Sequence, residues 1–292
     1  MTRNSGPRQS QHSSVLQACL RNRNCTGAGE HSQDPQYVQN SSAWIEHDPR
    51  YVSVVAGGAV DDADKGPVQH GSLVIAADSG AEFLRKHDLA PDIIVGDFDS
   101  SDPETIAYFR NRGHVEIVSL KRDKDKTDTE VALDLALKKG FTTAIVTGAM
   151  RGSRIDHELA NLFLIEHYAR QGMDLILHSQ DTVIFGISGL NSEYCATYGS
   201  AYGANSDETP RIMHYQGKRA FYGKPSSWVT ILPVTCYATG VTTSNLKFPL
   251  YNATLQRGST LGVSNEMLDR TASISIAKGF AVVILSRRSR SS

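Results

Sequence analysis

The chain has 292 residues, 40 % of them apolar, which is enough for two ordinary domains with substantial cores. Its 30 basic and 31 acidic residues nearly cancel, so no global field draws in nucleic acid or an anionic membrane, and a small-molecule partner is expected. Four cysteines, Cys19, Cys25, Cys195 and Cys236, form neither a Cys-x-x-Cys pair nor a disulfide framework, and no apolar run approaches the roughly 20 residues that span a bilayer, so a cytoplasmic protein is expected.

Residues 1–50 are rich in Ser, Gln, Asn and Gly and read as a disordered extension. Arg3, Arg8, Arg21 and Arg23 all precede the first acid, Glu30, a composition shared with organellar transit peptides. An unstructured tail is the simpler reading. From Tyr51 the pattern changes. Apolar runs at 51–56, 73–77, 93–95, 115–119 and 144–147 predict strands, and helical periods at 81–87, 102–112, 128–139 and 156–170 predict helices between them. Such alternation predicts an α/β domain over 51–187, with a mainly parallel, Rossmann-like sheet and helices on both faces. In the last helix, Leu159, Leu162 and Phe163 are expected to face the core and Asp156 to cap the first turn.

The chemistry-bearing residues gather at predicted strand ends. Gly96-Asp97-Phe98-Asp99-Ser100 follows an apolar run; if the strand continues, its period of two points Asp97 and Asp99 to one side, where both reach one cation. A solvated turn is the alternative. Asp78 ends the preceding strand, and in a parallel sheet these ends share one edge, so the three carboxylates are expected to converge. In Lys124-Asp125-Lys126-Thr127-Asp128-Thr129-Glu130, Thr127 and Glu130 have capping-box spacing and Asp128 is the first helical residue. Lys121, Arg122, Lys124 and Lys126 beside that helix start suit a polyphosphate; a solvated charge run is the alternative. Arg154, at a glycine-containing loop entering the next helix, is placed to hold a phosphate oxygen, whereas His157 reads as structural more readily than as a base.

After about residue 188 the pattern changes again. A segment rich in Tyr, Gly and Ser spans 188–227 and reads as an inserted surface flap. Short alternating runs at 228–232, 245–248, 272–277 and 281–285 then predict a smaller all-β sandwich or barrel domain over 228–286, followed by a basic tail, 287–292.

Taken in order, Ala56-Gly57-Gly58, Asp78-Ser79-Gly80-Ala81, Gly96-Asp97-Phe98-Asp99-Ser100, Lys124-Asp125-Lys126-Thr127-Asp128 and Arg154-Ile155-Asp156-His157 resemble the bacterial-type thiamine pyrophosphokinase family. The likeness continues through Leu232-Pro233, Gly240-Val241-Thr242-Thr243, Leu246-Lys247-Phe248-Pro249-Leu250 and Gly262-Val263-Ser264-Asn265-Glu266. The resemblance implies transfer of the pyrophosphoryl group of ATP to the hydroxyl of thiamine, with Mg2+, in a homodimer whose active sites lie between the α/β domain of one subunit and the β domain of the other. It implies that Asp78, Asp97, Asp99 and Asp128 form the magnesium and polyphosphate cluster, that Lys126 and Thr127 border the nucleotide, and that Arg154 holds phosphate while Asp156 orders its loop. It also implies that Ser264 and Asn265 lie at the thiamine end. The chain departs from the family at Ser79, at Ser244-Asn245, and in the loop 148–156. That loop is one residue longer than usual and carries Met150, Arg151 and Ser153 at or beside usual glycine positions. Two other classes compete with the kinase. One is a non-catalytic thiamine diphosphate or nucleotide binding module, disfavoured because a pure binder gains nothing from repelling carboxylates; the other is a metal-dependent phosphohydrolase.

Overall fold

A computed structural model describes residues 50–99, 101–121, 123, 125–189, 213–215 and 217–288. The N-terminal extension, most of the Tyr-rich segment, Ser100, Arg122, Lys124 and the end of the basic tail lie outside these residues. Six strands form a parallel array, the five predicted ones, β1 (Val52–Val55), β2 (Leu73–Ala77), β3 (Ile93–Gly96), β4 (Glu116–Ser119) and β5 (Thr143–Thr147), and a sixth the periodicity did not mark, β6 (Asp174–Ser179). Their spatial order is β4-β3-β2-β1-β5-β6, so the strand order reverses at β1, where the chain crosses from β4 to β5. Five helices connect them: α1 (Lys65–Gln69), α2 (Gly80–Lys86), α3 (Pro103–Asn111), α4 (Asp128–Lys138) and α5 (Ile155–Arg170).

Alternate residues of the strands feed opposite faces, as a period of two requires. Val52, Val54, Ile75, Ala77, Ile93 and Val95 pack with Ala132, Leu133 and Ala136 of α4 and Ile165 and Tyr168 of α5. Val55, Ala76 and Ile94 pack with Ala81, Phe83 and Leu84 of α2 and Ile106 and Phe109 of α3. Gly80, at the start of α2, lets that helix lie against β1, because a Cβ there would stand 2.0 Å from the Val55 carbonyl oxygen.

The large sheet does not stop at β6. Strands β7 (Thr182–Ser188), β10 (Trp228–Pro233), β13 (Asn265–Glu266) and β15 (Phe280–Ser286) extend it antiparallel to ten strands, in the order β13-β10-β15-β7-β6. The 228–232 and 281–285 runs, expected in a separate β domain, therefore complete the first sheet. The reason lies in β15, where Phe280 and Val282 face α5 while Ala281, Val283 and Leu285 face the opposite layer. A run buried on both faces is a central strand, and no local pattern says which sheet it joins.

The smaller sheet has five strands, β8 (Met213–Tyr215), β9 (Lys218–Tyr222), β11 (Tyr237–Ser244), β12 (Ala253–Gln256) and β14 (Thr271–Ser275), in the order β12-β11-β14-β9-β8. It lies face to face with the antiparallel end of the large sheet, Phe221, Ala238, Val241, Leu255 and Ile274 sharing one core with Phe185, Val229, Ile231 and Val283. The fold class is thus the expected one, an α/β sheet with helices followed by a smaller β-sheet unit. Residues 213–222 belong to that unit and not to a flap, since Phe221 is buried and Arg219 reaches back to β6. Among the described residues, no helix is long and apolar enough to cross a membrane.

Candidate active site

Because β1 to β5 are parallel, the segments that leave them open on one edge of the sheet, and the helices that follow begin there with their amide ends toward it. Asp78 leaves β2 in the left-handed region, φ 50°, its amide donating to the Val95 carbonyl at 2.8 Å. Its Oδ1 accepts a 2.8 Å hydrogen bond from the Ser101 hydroxyl. This places the β2 and β3 ends side by side. Ser79, the departure beside it, has φ −63°, a conformation open to any residue, so the glycine usual there is not required by the backbone.

At the β3 end the structure corrects the strand-period argument. The strand stops at Gly96, Phe98 takes φ 59°, and its ring packs onto the α2–α3 core. Asp97 and Asp99 are related by a turn, the Asp99 amide donating to Asp97 Oδ1 at 3.3 Å. The backbone here is the turn of the alternative reading, and it carries both aspartates. Its far end is tied to α2, with Asp102 accepting from Arg85 at 3.0 Å and its own amide donating to Glu82 Oε1 at 3.0 Å. Among the described residues, no three His, Cys, Asp or Glu side chains close to metal-holding distance. Asp78, Asp97 and Asp99 thus share an edge without forming the closed cluster the resemblance implies.

Thr127 caps α4, its hydroxyl accepting from the Glu130 amide at 3.2 Å, and Asp128 is the first helical residue, as the spacing predicts. Lys126 turns away from the edge: its Nζ pairs with Asp134 at 2.6 Å and Glu130 at 3.1 Å, and these contacts, Asp134 first, raise its pKa. Asp134 also accepts from the Tyr168 hydroxyl at 2.9 Å, so the lysine joins α4 to α5.

Arg154, not Asp156, occupies the N-cap position of α5. Its guanidinium forks onto Asp156, Nε to Oδ1 at 2.9 Å and Nη2 to Oδ2 at 2.5 Å, and this contact holds the Asp156 carboxyl down at about 2. His157 is exposed in the same turn. On α5 the core face is Asn161, Ile165 and Tyr168 with half-buried Leu162, whereas Ile155, Leu159 and Phe163 are each more than half exposed. The helix carries two apolar stripes at helical spacing, and the period alone does not say which one meets the sheet.

In the β unit, Ser264 has φ 60° and its amide donates to the Thr230 hydroxyl at 3.1 Å. Asn265 is 7 % exposed, and its amide brackets one residue: Nδ2 donates to the Phe248 carbonyl at 2.6 Å, and Oδ1 accepts from the Phe248 amide at 3.0 Å. The Phe248 side chain stands 63 % exposed beside the Lys247–Glu266 pair, at 3.1 Å. Asn245, another departure, sits at φ 58°, where asparagine substitutes for glycine with least strain, and its side chain donates to the Thr271 carbonyl at 2.8 Å. Residue-by-residue reading singled out neither Phe248 nor the polar chain Arg151–Asp61–Asp64–His178 behind the β5 loop. The Leu246-Lys247-Phe248-Pro249-Leu250 motif signals the first; nothing local signals the second, because its partners lie 90 and 114 residues apart.

Two family models match in order: thiamin pyrophosphokinase, catalytic domain, over residues 67–177, and thiamin pyrophosphokinase, vitamin B1 binding domain, over residues 217–281. A thiamine pyrophosphokinase of Bacillus subtilis is 26 % identical over 239 residues, 80 % of this chain and 98 % of the relative. Thiamine pyrophosphokinase 1 of Oryza sativa subsp. japonica is 27 % identical over 190 residues, 63 % of this chain and 62 % of the relative. The crystal structure of thiamine pyrophosphokinase from Bacillus subtilis shares the fold with a TM-score of 0.67 at 23 % identity, covering 82 % of this chain and 100 % of that one. The two models follow one another and together cover more than half of the chain, and the chain belongs to the thiamine pyrophosphokinase family.

Proposed function

We propose that this chain transfers the pyrophosphoryl group of ATP to the hydroxyl of thiamine, giving thiamine diphosphate and AMP. The hydroxyl oxygen attacks the β-phosphorus, the bond from that phosphorus to the α,β-bridging oxygen breaks, AMP leaves with that oxygen and its electron pair, and the hydroxyl proton passes to solvent. The observation that carries this reading is the shared edge: Asp78 from β2 and Asp97 and Asp99 from β3 open beside the starts of α2 and α4. Hard carboxylate oxygens fit Mg2+, and Asp78, Asp97, Asp99 and Asp128 would hold it, some through water. When bound, the ion supplies charge neutralisation for the transferring phosphates.

The chain's own residues do the rest. Amides at the starts of α4 and α5 donate to phosphate oxygens, Thr127 shaping the α4 end. Arg154 exchanges the Asp156 carboxylate for a phosphate, since both present two oxygens to its fork. Lys126 borders the nucleotide from behind, through Glu130 and Asp134. At the other end, Phe248 offers a ring face to cationic thiamine, Ser264 lines its approach, and Asn265 acts by fixing Phe248. We assign residues 51–187 to ATP and 228–286, with β8 and β9, to thiamine. The functional unit is a homodimer: Ile155, Leu159 and Phe163 follow directly on Arg154, so a second copy covering this stripe also closes the phosphate end.

The test is AMP release from ATP and magnesium with and without thiamine, with mass detection of thiamine diphosphate. Thiamine-dependent AMP with the product mass is the expected result. Thiamine-independent phosphate release would indicate a phosphohydrolase, and ligand binding without turnover a binding module.

A further inference from the structure

We propose that Arg151 and Asp61 form a positioning latch that sets the width of the crevice between the segments leaving β1 and β5, and that Asp64 and His178 are its buried anchor. The strand order reverses between these two strands, which is where ligands collect in open parallel sheets. Arg151 Nη1 donates to Asp61 Oδ2 at 2.5 Å. Both side chains are partly exposed, and an exposed ion pair alone holds little. Here one partner is fixed from behind. The Asp61 amide donates to Asp64 Oδ2 at 2.9 Å, and Asp64 Oδ1 meets His178 Nδ1 at 3.0 Å with both side chains 0 % exposed. His178 belongs to β6, so the chain of contacts runs from the sheet interior to the tip of the β5 loop.

The loop has reason to need it. Gly148, at φ 71°, brings the loop against β1, where a Cβ would stand 2.3 Å from the Ala56 carbonyl oxygen, and the Gly58 amide donates to the Gly148 carbonyl at 2.9 Å. Beyond that tight contact the loop carries its extra length, and Arg151 sits at φ 64°, a conformation an arginine adopts only when its surroundings hold it. Three residues further on stands Arg154, whose aim depends on this loop. The Gly152 amide, bonded to Glu158 Oε1 at 2.8 Å, closes the segment on its helix side, and Arg151 closes it on the β1 side. Arg151, one of three residues at or beside the usual glycine positions of this loop, is thus the one whose side chain restrains it. Which ligand the latch serves rests on the kinase reading.

The experiment compares the full-length protein with Arg151→Gly, Asp61→Asn, the double variant and Arg151→Lys. The readouts are hydrogen exchange of the 149–153 amides, affinity for a non-hydrolysable ATP analogue with magnesium, and the KM and kcat of AMP formation. Each single variant is expected to speed loop exchange and weaken nucleotide affinity by about fivefold, with the double variant no worse than either single one. KM for ATP should rise with kcat and the KM for thiamine little changed, and Arg151→Lys should recover most of the loss. Unchanged loop exchange and nucleotide affinity, with a shift in melting temperature alone, would overturn the latch, as would effects that simply add. The exchange readout needs no turnover, so failure of the kinase reading, seen in the wild-type assay, is distinguishable from failure of the latch.

Discussion

The two ends of the candidate site are built on opposite principles. At the sheet edge, charged side chains are presented directly by strand ends: Asp78, Asp97 and Asp99 each stand within three residues of the last residue of β2 or β3. At the β-unit corner the presented group is an exposed aromatic ring, and the group that presents it, Asn265, is a buried amide 17 residues away in the chain. The first arrangement concentrates like charges and is stabilised by whatever neutralises them. The second is complete within the protein. Substitutions at the edge should therefore change chemistry and spare folding, whereas substitutions behind the corner should change affinity through geometry.

The strongest break in this comparison is Asp99→Asn. Thiamine-dependent AMP formation is expected to fall by about 10³-fold, because in the proposed mechanism Asp99 helps hold the cation on the transferring phosphates and so acts mainly in the transition state. Removing one of several like charges should leave the melting temperature unchanged or slightly raised. Near-normal rates under saturating magnesium would remove Asp99 from the mechanism.

Next in size is the joint between the two sheets. Arg219, 1 % exposed on β9, forks onto Asp174 of β6, donates to the Gly186 carbonyl at 2.6 Å, and lies 4.6 Å from the Phe185 ring centre. Arg219→Met leaves a largely buried carboxylate uncompensated and should cost about 3 kcal/mol in denaturant unfolding. A single shifted transition is expected, since the two sheets share one core. Two separated transitions would mean that the sheets fold as independent domains.

A smaller effect sharpens the contrast at the corner. Asn265→Ala should raise the KM for thiamine by about tenfold with the KM for ATP unchanged, because it frees the Phe248 backbone from a buried bracket. Asn265→Asp should do the same, since a carboxylate has no donor for the Phe248 carbonyl. A variant that alters kcat while leaving the thiamine KM alone would argue that Asn265 touches the reaction itself.

How much of this was legible in the sequence follows from range. The parallel array, the Thr127 cap and the strand-end position of Asp78 are local patterns, and the chain displays them openly. The turn at Phe98 was half legible: Asp and Ser announce a turn, but only the docking of the ring on the α2–α3 core settles that the strand ends at Gly96. Membership of β10 and β15 in the large sheet, the exposed stripe of α5 and the Asn265 bracket depend on what lies opposite, which periodicity does not encode. Arg154 shows the same limit, for its place at a helix start was readable and its pairing with Asp156 was not.

That pairing yields the smallest and most discriminating expectation. The Arg154 contact lowers the Asp156 carboxyl from 3.8 to about 2. A depressed carboxylate favours the folded arrangement above its ordinary value and loses that preference as pH falls from about 3.8 through about 2, so the pair persists across the neutral range. Both groups are exposed, so the effect on stability should be slight and the titration itself is the signal. Carboxyl carbon NMR should place the Asp156 midpoint near 2 in the wild type and return it toward 3.8 in Arg154→Ala. If Arg154 transfers its fork to a phosphate when nucleotide binds, adding a non-hydrolysable ATP analogue to the wild type should move the midpoint up in the same direction. If the midpoint stays near 2 with saturating analogue, Arg154 remains on Asp156, and phosphate must be held by the helix starts and the carboxylate-bound cation instead.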